Sequence, residues 1–263
     1  MLDEGWIWGL HAVAETLTSA PRTISTLYVA GNRRSPEVTV LTTRAAEAGV
    51  EVRESDVALL DDLSQHGKHQ GVVARTGPFP YVEEGQLRVL QQGLLVALDC
   101  VQDPRNLGAI LRTAHAAGAA GLLLPKDRSA GVTAAAVRSA GGYVHRVPVA
   151  RVTNLARTLG ALGEEGWWVI GLVPGARRSI WEVQVAERTL LVVGGEGGGL
   201  RPLVASSCQE LAGIPMVAGV ESLNASVAAG IALYELGMRR SVRPRSTVVA
   251  DRTVRDPRAV DSL

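Results

Sequence analysis

Cysteine and lysine are scarce in this sequence, and no long apolar run is present. The two cysteines, Cys100 and Cys208, are too few for a disulfide scaffold, and no cluster has the spacing of zinc ligands. No window approaches the ~20 uninterrupted apolar residues of a membrane-spanning helix. The first ten residues, MLDEGWIWGL, include two acids and lack the basic region of a secretory signal. These absences predict a reduced, cytoplasmic protein without a structural metal and without a membrane partner.

Positive and negative charges almost balance, with a formal net charge of +1, and the basic residues are nearly all arginine. Lys68 and Lys126 are the only lysines. Because arginine makes bidentate contacts with phosphate and stacks on bases, this composition is compatible with RNA binding. A GC-biased genome that encodes arginine in place of lysine explains it equally well. Charge alone therefore assigns no partner.

Short apolar segments alternate with helical segments along most of the 263 residues, 46% of which are hydrophobic. The patterns predict strands at 24–30, 50–52, 72–74, 94–98, 121–125, 146–149 and 168–172, with helices at 36–48, 132–140 and 153–162. This alternation predicts an α/β fold with a mostly parallel main sheet. We expect a small α/β domain over 1–76, a linker over 77–90, a larger domain over 91–240 and a flexible tail over 241–263.

Three stretches carry candidate chemistry. The first, LDCVQDPRNLGAILRT at 98–113, follows an apolar strand, and Asn106 is placed to cap the helix after the Asp103-Pro104 turn. In that helix Arg105 and Arg112 fall on the face opposite the apolar one. The second, LVVGGEGGGL at 191–200, ends a strand in a glycine run that lets a backbone approach a ligand. Because Leu200-Arg201 follows in place of Lys-Ser/Thr, the run is not a phosphate loop.

The third stretch, IPMVAGVESLNASVAAGIALYELGMRR at 214–240, is a long amphipathic helix preceded by polar residues. Large apolar side chains recur at helical spacing and predict one stripe that faces the core. The residues of this stripe are Leu223, Val227, Ile231, Tyr234 and Met238. Small residues cover the rest of the surface, and this thin face suits tight packing against a partner.

Taken in order, the three stretches resemble the SpoU (TrmH-type) family of RNA ribose 2′-O-methyltransferases. The resemblance implies a C-terminal SPOUT domain with a trefoil knot that binds S-adenosylmethionine, and a homodimer whose active sites are completed by both protomers. It also implies a smaller N-terminal L30e-like α/β domain that holds RNA, which the strings around Gly9-Leu10-His11 and His69-Gln70-Gly71 favour. Residues 126–129 and 151–155 are similar to the branch that methylates a guanosine of 23S rRNA.

By the same resemblance, five residues form the catalytic set: Asn106, Arg112, Glu196, Ser222 and Asn224. Backbone groups at Gly194, Ile214 and Leu223 would contact the cofactor, with Gly195, Met216 and Asn224 beside them. Because a guanidinium keeps its proton in proteins, we expect Arg112 to bind phosphate and stabilise the developing alkoxide rather than act as a simple base. Glu196 would fix one of the polar groups or pair with an arginine across the dimer. The alternative for Asn106, Ser222 and Asn224 is a helix cap.

RNA contacts are expected from His69, Arg75, Arg105 and Arg112. For His69 the alternative is a turn residue before an edge strand, and for the two helix arginines it is a solvated face. Two other functions stay open. The enzyme could act on tRNA or on an rRNA uridine, or the chain could be a non-catalytic RNA-binding protein of ribosome assembly.

Overall fold

The computed structural model describes residues 5–31 and 35–242. Its first sheet has four strands in the order β1-β4-β2-β3. They are β1 (Gly5–Trp8), β2 (Ile24–Ala30), β3 (Glu51–Ser55) and β4 (Val72–Thr76), accompanied by helices α1 (Leu10–Ser19), α2 (Pro36–Glu47) and α3 (Val57–Leu63). β4 pairs antiparallel with both neighbours, whereas β2 and β3 are parallel.

The second sheet has seven strands in the order β7-β6-β5-β10-β8-β11-β9, and all its neighbours pair in parallel. The strands are β5 (Gly93–Asp99), β6 (Gly121–Pro125), β7 (Val149–Val152), β8 (Trp168–Leu172), β9 (Arg178–Ser179), β10 (Arg188–Gly194) and β11 (Glu210–Gly213). The helices are α4 (Glu84–Arg88), α5 (Pro104–Ala116), α6 (Ala134–Ser139), α7 (Leu155–Glu164), α8 (Pro202–Ala205) and α9 (Ala225–Val242). The predicted α/β fold with a mostly parallel main sheet is confirmed.

Apolar runs bounded by turn residues locate the central strands well. β2, β6 and β8 occupy the residues that their patterns predict, and β5 extends its predicted run by one residue at each end. Residues 94–98 are all buried, as expected for a parallel strand covered on both faces. Local sequence therefore predicts the interior strands β5, β6 and β8 of the second sheet, but it does not predict β11.

The predicted strand at 146–149 is wrong. Tyr143–Arg146 forms a 3₁₀ turn, and the strand β7 begins at Val149. Gly141 and Gly142 have φ values of 61° and 87°, a left-handed conformation that glycine adopts without a steric penalty. The two glycines end α6 and turn the chain, so the strand starts later than its hydrophobicity indicates.

Asn106 does not cap α5, contrary to the prediction. Asp103 is the N-cap and its side chain accepts a hydrogen bond from the backbone N–H of Arg105, while Pro104 occupies the first helical turn. Proline fits there because its missing N–H would have no helical partner. The helix therefore starts earlier, and Asn106 lies inside it as a buried polar residue.

The faces of α9 are the reverse of those predicted. Val227, Tyr234 and Met238 of the apolar stripe are about half exposed, at 50%, 47% and 45%. The buried face carries small residues and two leucines, namely Ala225, Ala229, Ala232, Leu233 and Leu236. This face packs on α5, and a Cβ at Gly237 would lie 2.4 Å from the carbonyl oxygen of Ala117. Because the two helix backbones approach closely, the small side chains of α9 form the contact within the chain.

The two parts of the fold pack against each other through α1 and β1 on one side and α6 and the 3₁₀ turn on the other. Glu15 of α1 pairs with Arg146 at 2.5 Å, and one apolar cluster contains residues of both sheets. The connecting segment is structured, since it contains α4 and since Val82 pairs with Ala150 in a parallel bridge. The domain boundaries at 76 and 91 stay proposals. Residues 243–263 of the predicted tail lie outside the described residues.

Candidate functional site

The glycine run forms a tight loop at the end of β10. Gly195 and Gly199 pair in an antiparallel bridge, and Gly197 and Gly199 have positive φ values of 77° and 61°. A Cβ at Gly194 would lie 2.2 Å from the carbonyl carbon of Gly199. A Cβ at Gly195 would lie 2.0 Å from the carbonyl oxygen of Cys100. In this conformation both positions exclude any side chain.

An ion pair between the buried Asp99 and the partly exposed Arg201 anchors this loop to the end of β5. Asp99, whose side chain is fully buried, accepts hydrogen bonds from the backbone N–H of Arg201 at 2.8 Å and from its Nε at 2.7 Å. The Asp99 carboxylate raises the pKa of the Arg201 guanidinium. The Asp99 carbonyl also accepts a hydrogen bond from the N–H of Gly195 at 2.7 Å. Asp99 thus holds both ends of the glycine loop.

Asn106, Glu196 and Asn224 meet in one hydrogen-bonded cluster. The Asn106 side-chain amide donates to Oε1 of Glu196. The Asn224 amide donates to the same oxygen at 3.3 Å and to Oδ1 of Asn106 at 3.2 Å. The Asn224 Oδ1 accepts from the backbone N–H groups of Ser226 and Val227, so this residue also caps α9. The cluster joins α5, the glycine loop and the start of α9.

A cleft of about 560 Å³ opens beside this cluster, at the carboxyl ends of β8 and β10. Its polar lining includes Glu196, Glu221, Ser222 and Asn224. Its apolar and glycine lining includes Leu172, Val193, Gly194, Gly195, Ile214, Met216 and Leu223. Ligands of open α/β sheets bind in this position, outside the carboxyl ends of the strands. All the cofactor-contact residues expected from the sequence line one cavity.

The cleft fits the cofactor that the sequence predicts. Its volume lies in the range of small-molecule sites, and its apolar walls suit an adenine ring. Two carboxylates, Glu196 and Glu221, complement the positive charges of an ammonium and a sulfonium. The glycines leave room for a ligand to approach the backbone.

Arg112 lies apart from this cluster. Its side chain is exposed on α5, and its guanidinium lies 5.8 Å from the ring centroid of Tyr143, which also stacks on His115. The structure therefore brings together Asn106, Glu196 and Asn224, places Ser222 in the cleft lining, and leaves Arg112 facing solvent next to Tyr143. Tyr143 lies between the predicted helix at 132–140 and the predicted strand at 146–149, and none of the three candidate stretches includes it.

The predicted RNA contacts divide into two kinds. Arg105 and Arg75 have exposed side chains, and Arg105 pairs with Asp103 at 3.0 Å. His69 instead uses both ring nitrogens locally: Nε2 lies 3.1 Å from Asp61, and Nδ1 accepts from the N–H of Gly71 at 3.0 Å. It orders the turn before β4, which is an interior strand of its sheet and not the edge strand of the alternative interpretation.

Two features are absent from the described part of the chain. None of its helices is long and apolar enough to cross a membrane. Within residues 5–31 and 35–242, no group of three or more His, Cys, Asp or Glu side chains could hold a metal ion.

A mostly parallel sheet, a glycine loop and a polar cluster at a ligand-sized cleft define an α/β protein with an enzyme-like small-molecule site. Comparison with known proteins gives its family. The model of the SpoU rRNA methylase family matches residues 93–234, and that of the RNA 2′-O ribose methyltransferase substrate-binding domain matches residues 6–82. The chain belongs to the SpoU rRNA methylase family, as the sequence predicts.

Its relatives match it over nearly the whole length of the chain. The 23S rRNA (guanosine-2′-O-)-methyltransferase RlmB of Photobacterium profundum is 38% identical over 92% of this chain and 100% of its own length. RlmB of Pseudomonas aeruginosa is 41% identical over 89% of this chain and 96% of its own length. The crystal structure of an AdoMet-bound rRNA methyltransferase from Sinorhizobium meliloti superimposes with a TM-score of 0.75 at 28% identity, covering 92% of this chain and 89% of that one.

Proposed function

We propose that this protein transfers a methyl group from S-adenosylmethionine to the ribose 2′-hydroxyl of a guanosine in 23S rRNA. The relatives named for that reaction match over the full extent of the fold. The observation that carries the proposal in this chain is the cluster of Asn106, Glu196 and Asn224 at the mouth of the cleft. A ribosomal RNA substrate supports a cytoplasmic location for the protein.

The cleft would hold the cofactor through the backbones of Gly194, Ile214 and Leu223, with Gly195 and Met216 beside them. When bound, the cofactor supplies an electrophilic methyl group on a sulfonium. Methylation requires that the ribose 2′-hydroxyl be aligned with this methyl group and that the hydroxyl release its proton. The chain must therefore align the hydroxyl and accommodate that proton.

The hydrogen-bonded cluster provides the alignment. Glu196 receives two amide donors and is thereby fixed in position, and Asn224 is itself held by the start of α9. Three segments that are distant in sequence are in this way locked against one another at the cleft. Ser222, from the same polar stretch, would contact the substrate or the cofactor at the rim.

Arg112 would receive the RNA from the outer face of α5. A guanidinium keeps its proton, so its role is to bind the phosphate next to the target ribose and to stabilise the negative charge that develops on the 2′-oxygen. Its exposure suits this role, because an RNA backbone can reach it. Arg105, on the same face, would contact the next part of the backbone.

We also propose a homodimer formed through the outer face of α9. Val227, Tyr234 and Met238 form an exposed apolar stripe on one side of this helix, and Val217 and Val220 are exposed in the segment before it. Contiguous exposed apolar surface on a soluble domain is typical of an interaction site. A dimer through this face would place the partner subunit near Asn224 and the cleft, consistent with a site completed by two protomers.

The test is nucleoside mass spectrometry on unmodified 23S rRNA incubated with the protein and S-adenosylmethionine, beside the Arg112→Ala variant. We expect 2′-O-methylguanosine with the wild type and a strong decrease with the variant. Formation of 2′-O-methyluridine would identify an rRNA uridine as the target. Methylation of tRNA alone would identify tRNA as the substrate. Absence of any methylated ribose, together with retained RNA binding, would leave a non-catalytic RNA-binding protein.

A further inference from the structure

Aromatic residues are rare in this chain, but four of them gather at one place. The sequence has five tryptophans, four tyrosines and one phenylalanine. Trp6, Trp8, Phe79 and Tyr81 all line a cleft of about 540 Å³ between the two sheets, formed by β1, the segment after β4, and α6. This cleft is separate from the proposed cofactor site and shares no lining residue with it.

The charged residues of this cleft are all positive. Arg138 and Arg151 line it, and no Asp or Glu is among its lining residues. The Arg138 guanidinium lies 3.5 Å from the ring centroid of Trp8 and donates to the carbonyl oxygen of Trp6 at 3.0 Å. The Arg151 guanidinium lies 5.4 Å from the centroid of Tyr81. The cleft therefore favours an anionic ligand that also has flat rings.

Two polar atoms in this lining lack partners. Nδ1 of His145 and Nε of Arg151 are buried, and neither has a hydrogen-bond partner in the described part of the chain. The His145 ring stacks on Phe79 with 5.2 Å between centroids. Burial lowers the pKa of His145 to about 4, so its ring is neutral near pH 7. Buried polar atoms without hydrogen-bond partners destabilise a fold. A ligand that hydrogen-bonds to them would remove this destabilisation.

We propose that this cleft between the sheets binds an unpaired nucleotide of the substrate RNA, outside the methylated position. The inference rests on the proposed function, because it assigns a second contact to the same RNA. Single-stranded RNA is recognised by aromatic and arginine side chains that stack on bases, and by hydrogen bonds to base edges. The cleft has the stacking side chains, the cations for a phosphate, and two free hydrogen-bonding atoms.

The surroundings of the cleft suit a longer strand of RNA. A shallow groove continues from it, sharing Thr23, Gly77 and Pro78, and is lined by Arg22 without any acid. On the other side, α6 connects the cleft to the helix that carries Arg112, since Ser139 donates to the carbonyl oxygen of Arg105 at 2.8 Å. One RNA strand could thus contact the groove, the cleft and the outer face of α5.

Photocrosslinking tests this assignment without relying on a variant. The probe is 23S rRNA transcribed with 4-thiouridine, irradiated with the full-length protein, and the crosslinked peptides are identified by mass spectrometry. We expect crosslinks in the peptides that contain Trp6, Trp8, Phe79 or Tyr81. Crosslinks confined to α5, the glycine loop and α9 would overturn the proposal.

Variants give the second measurement. Phe79→Leu and Arg151→Gln should each weaken binding of the same RNA about 5- to 100-fold, the range measured for loss of one stacked base. The matched control is Arg157→Gln, an exposed arginine on α7 outside the cleft lining. Affinity for S-adenosylmethionine should not change, and the melting temperature of each variant separates a lost RNA contact from a loss of folding. RNA affinities of Phe79→Leu and Arg151→Gln that both equal the affinity of the control Arg157→Gln would refute the assignment.

The outcomes separate the two proposals. If the wild type methylates rRNA but its crosslinks avoid the cleft, only the cleft assignment fails. If the crosslinks map to the cleft but no ribose is methylated, the proposed reaction fails and the RNA-binding cleft stands. Failure of the wild type to bind the RNA would overturn both.

Discussion

Asn106 donates its side-chain amide to Glu196, a residue ninety positions later in the chain. We expect the Asn106→Asp substitution to lower kcat about 100-fold or more. The substitution removes the amide donor and places a second carboxylate in contact with Glu196. Two carboxylates in contact repel each other. Methyl transfer under saturating cofactor measures the effect. Asn154→Asp is the control, because Asn154 only caps α7 and a carboxylate caps a helix equally well. Equal activity of both variants would show that Asn106 is not part of the active site.

Gly195→Ala should destabilise the glycine loop. Its Cβ would lie 2.0 Å from the Cys100 carbonyl oxygen, so β5 or the loop must move, at a cost of about 1–3 kcal/mol. Calorimetric titration should show weaker binding of S-adenosylmethionine. Gly198→Ala, where no atom lies within 4 Å of the added Cβ, should behave nearly as the wild type. Binding by Gly195→Ala equal to that of the wild type would contradict this prediction and would mean that the loop relaxes easily.

Arg201→Ala should lower the free energy of unfolding by about 3 kcal/mol, because it leaves the buried carboxylate of Asp99 without its ion-pair partner. Urea denaturation measures this difference. The control is Arg105→Gln, which breaks an ion pair on an arginine that is 81% exposed and should change stability little. Similar midpoints for the two variants would show that Asp99 finds other partners.

Stability should fall between pH 6.5 and pH 4 partly because of His145. Burial lowers its pKa to about 4 in the folded protein, against about 6.5 in the unfolded chain, and nearby Glu15 opposes the shift. Between these values the unfolded state binds more protons, so acid favours unfolding, by roughly 2–3 kcal/mol in total. Urea denaturation at a series of pH values should therefore give a flatter profile for His145→Asn than for the wild type. Parallel profiles would contradict the buried neutral histidine.

Tyr234→Glu should convert the proposed dimer to a monomer, because it places a charge in the apolar stripe of α9. Sedimentation velocity would measure the change. Val40→Glu is the control, since Val40 is 59% exposed on α2 and lies outside that stripe. A wild-type protein that sediments as a monomer would refute the dimer itself.

Local patterns predicted the buried strands and the alternation of strand and helix, because these follow from nearby residues. These patterns failed where a segment distant in sequence, or a partner outside the chain, determines which residues are in contact. The periodicity of α9 showed that the helix has a large apolar stripe, but not that the thin face packs on α5 within the chain. Likewise, the position of Asn106 suggested a cap, because its partners Glu196 and Asn224 come from remote segments. The polar residues of the site were found through family resemblance, whereas Arg201 and Tyr143 were missed because each acts through a tertiary contact.

The hydrogen-bonded cluster also constrains how the protein folds. Asn106 and Asn224 are 118 residues apart, and their contact closes a loop that contains most of the second sheet. Contacts of such long sequence separation form slowly, because the entropy of loop closure is lost before the contact is gained. During synthesis, a nascent chain that ends at α8 contains Asn106 and Glu196 but not Asn224. The site can therefore assemble only after Asn224 has been synthesised, and a chain released at α8 would carry most of the sheet without β11 and without a competent site.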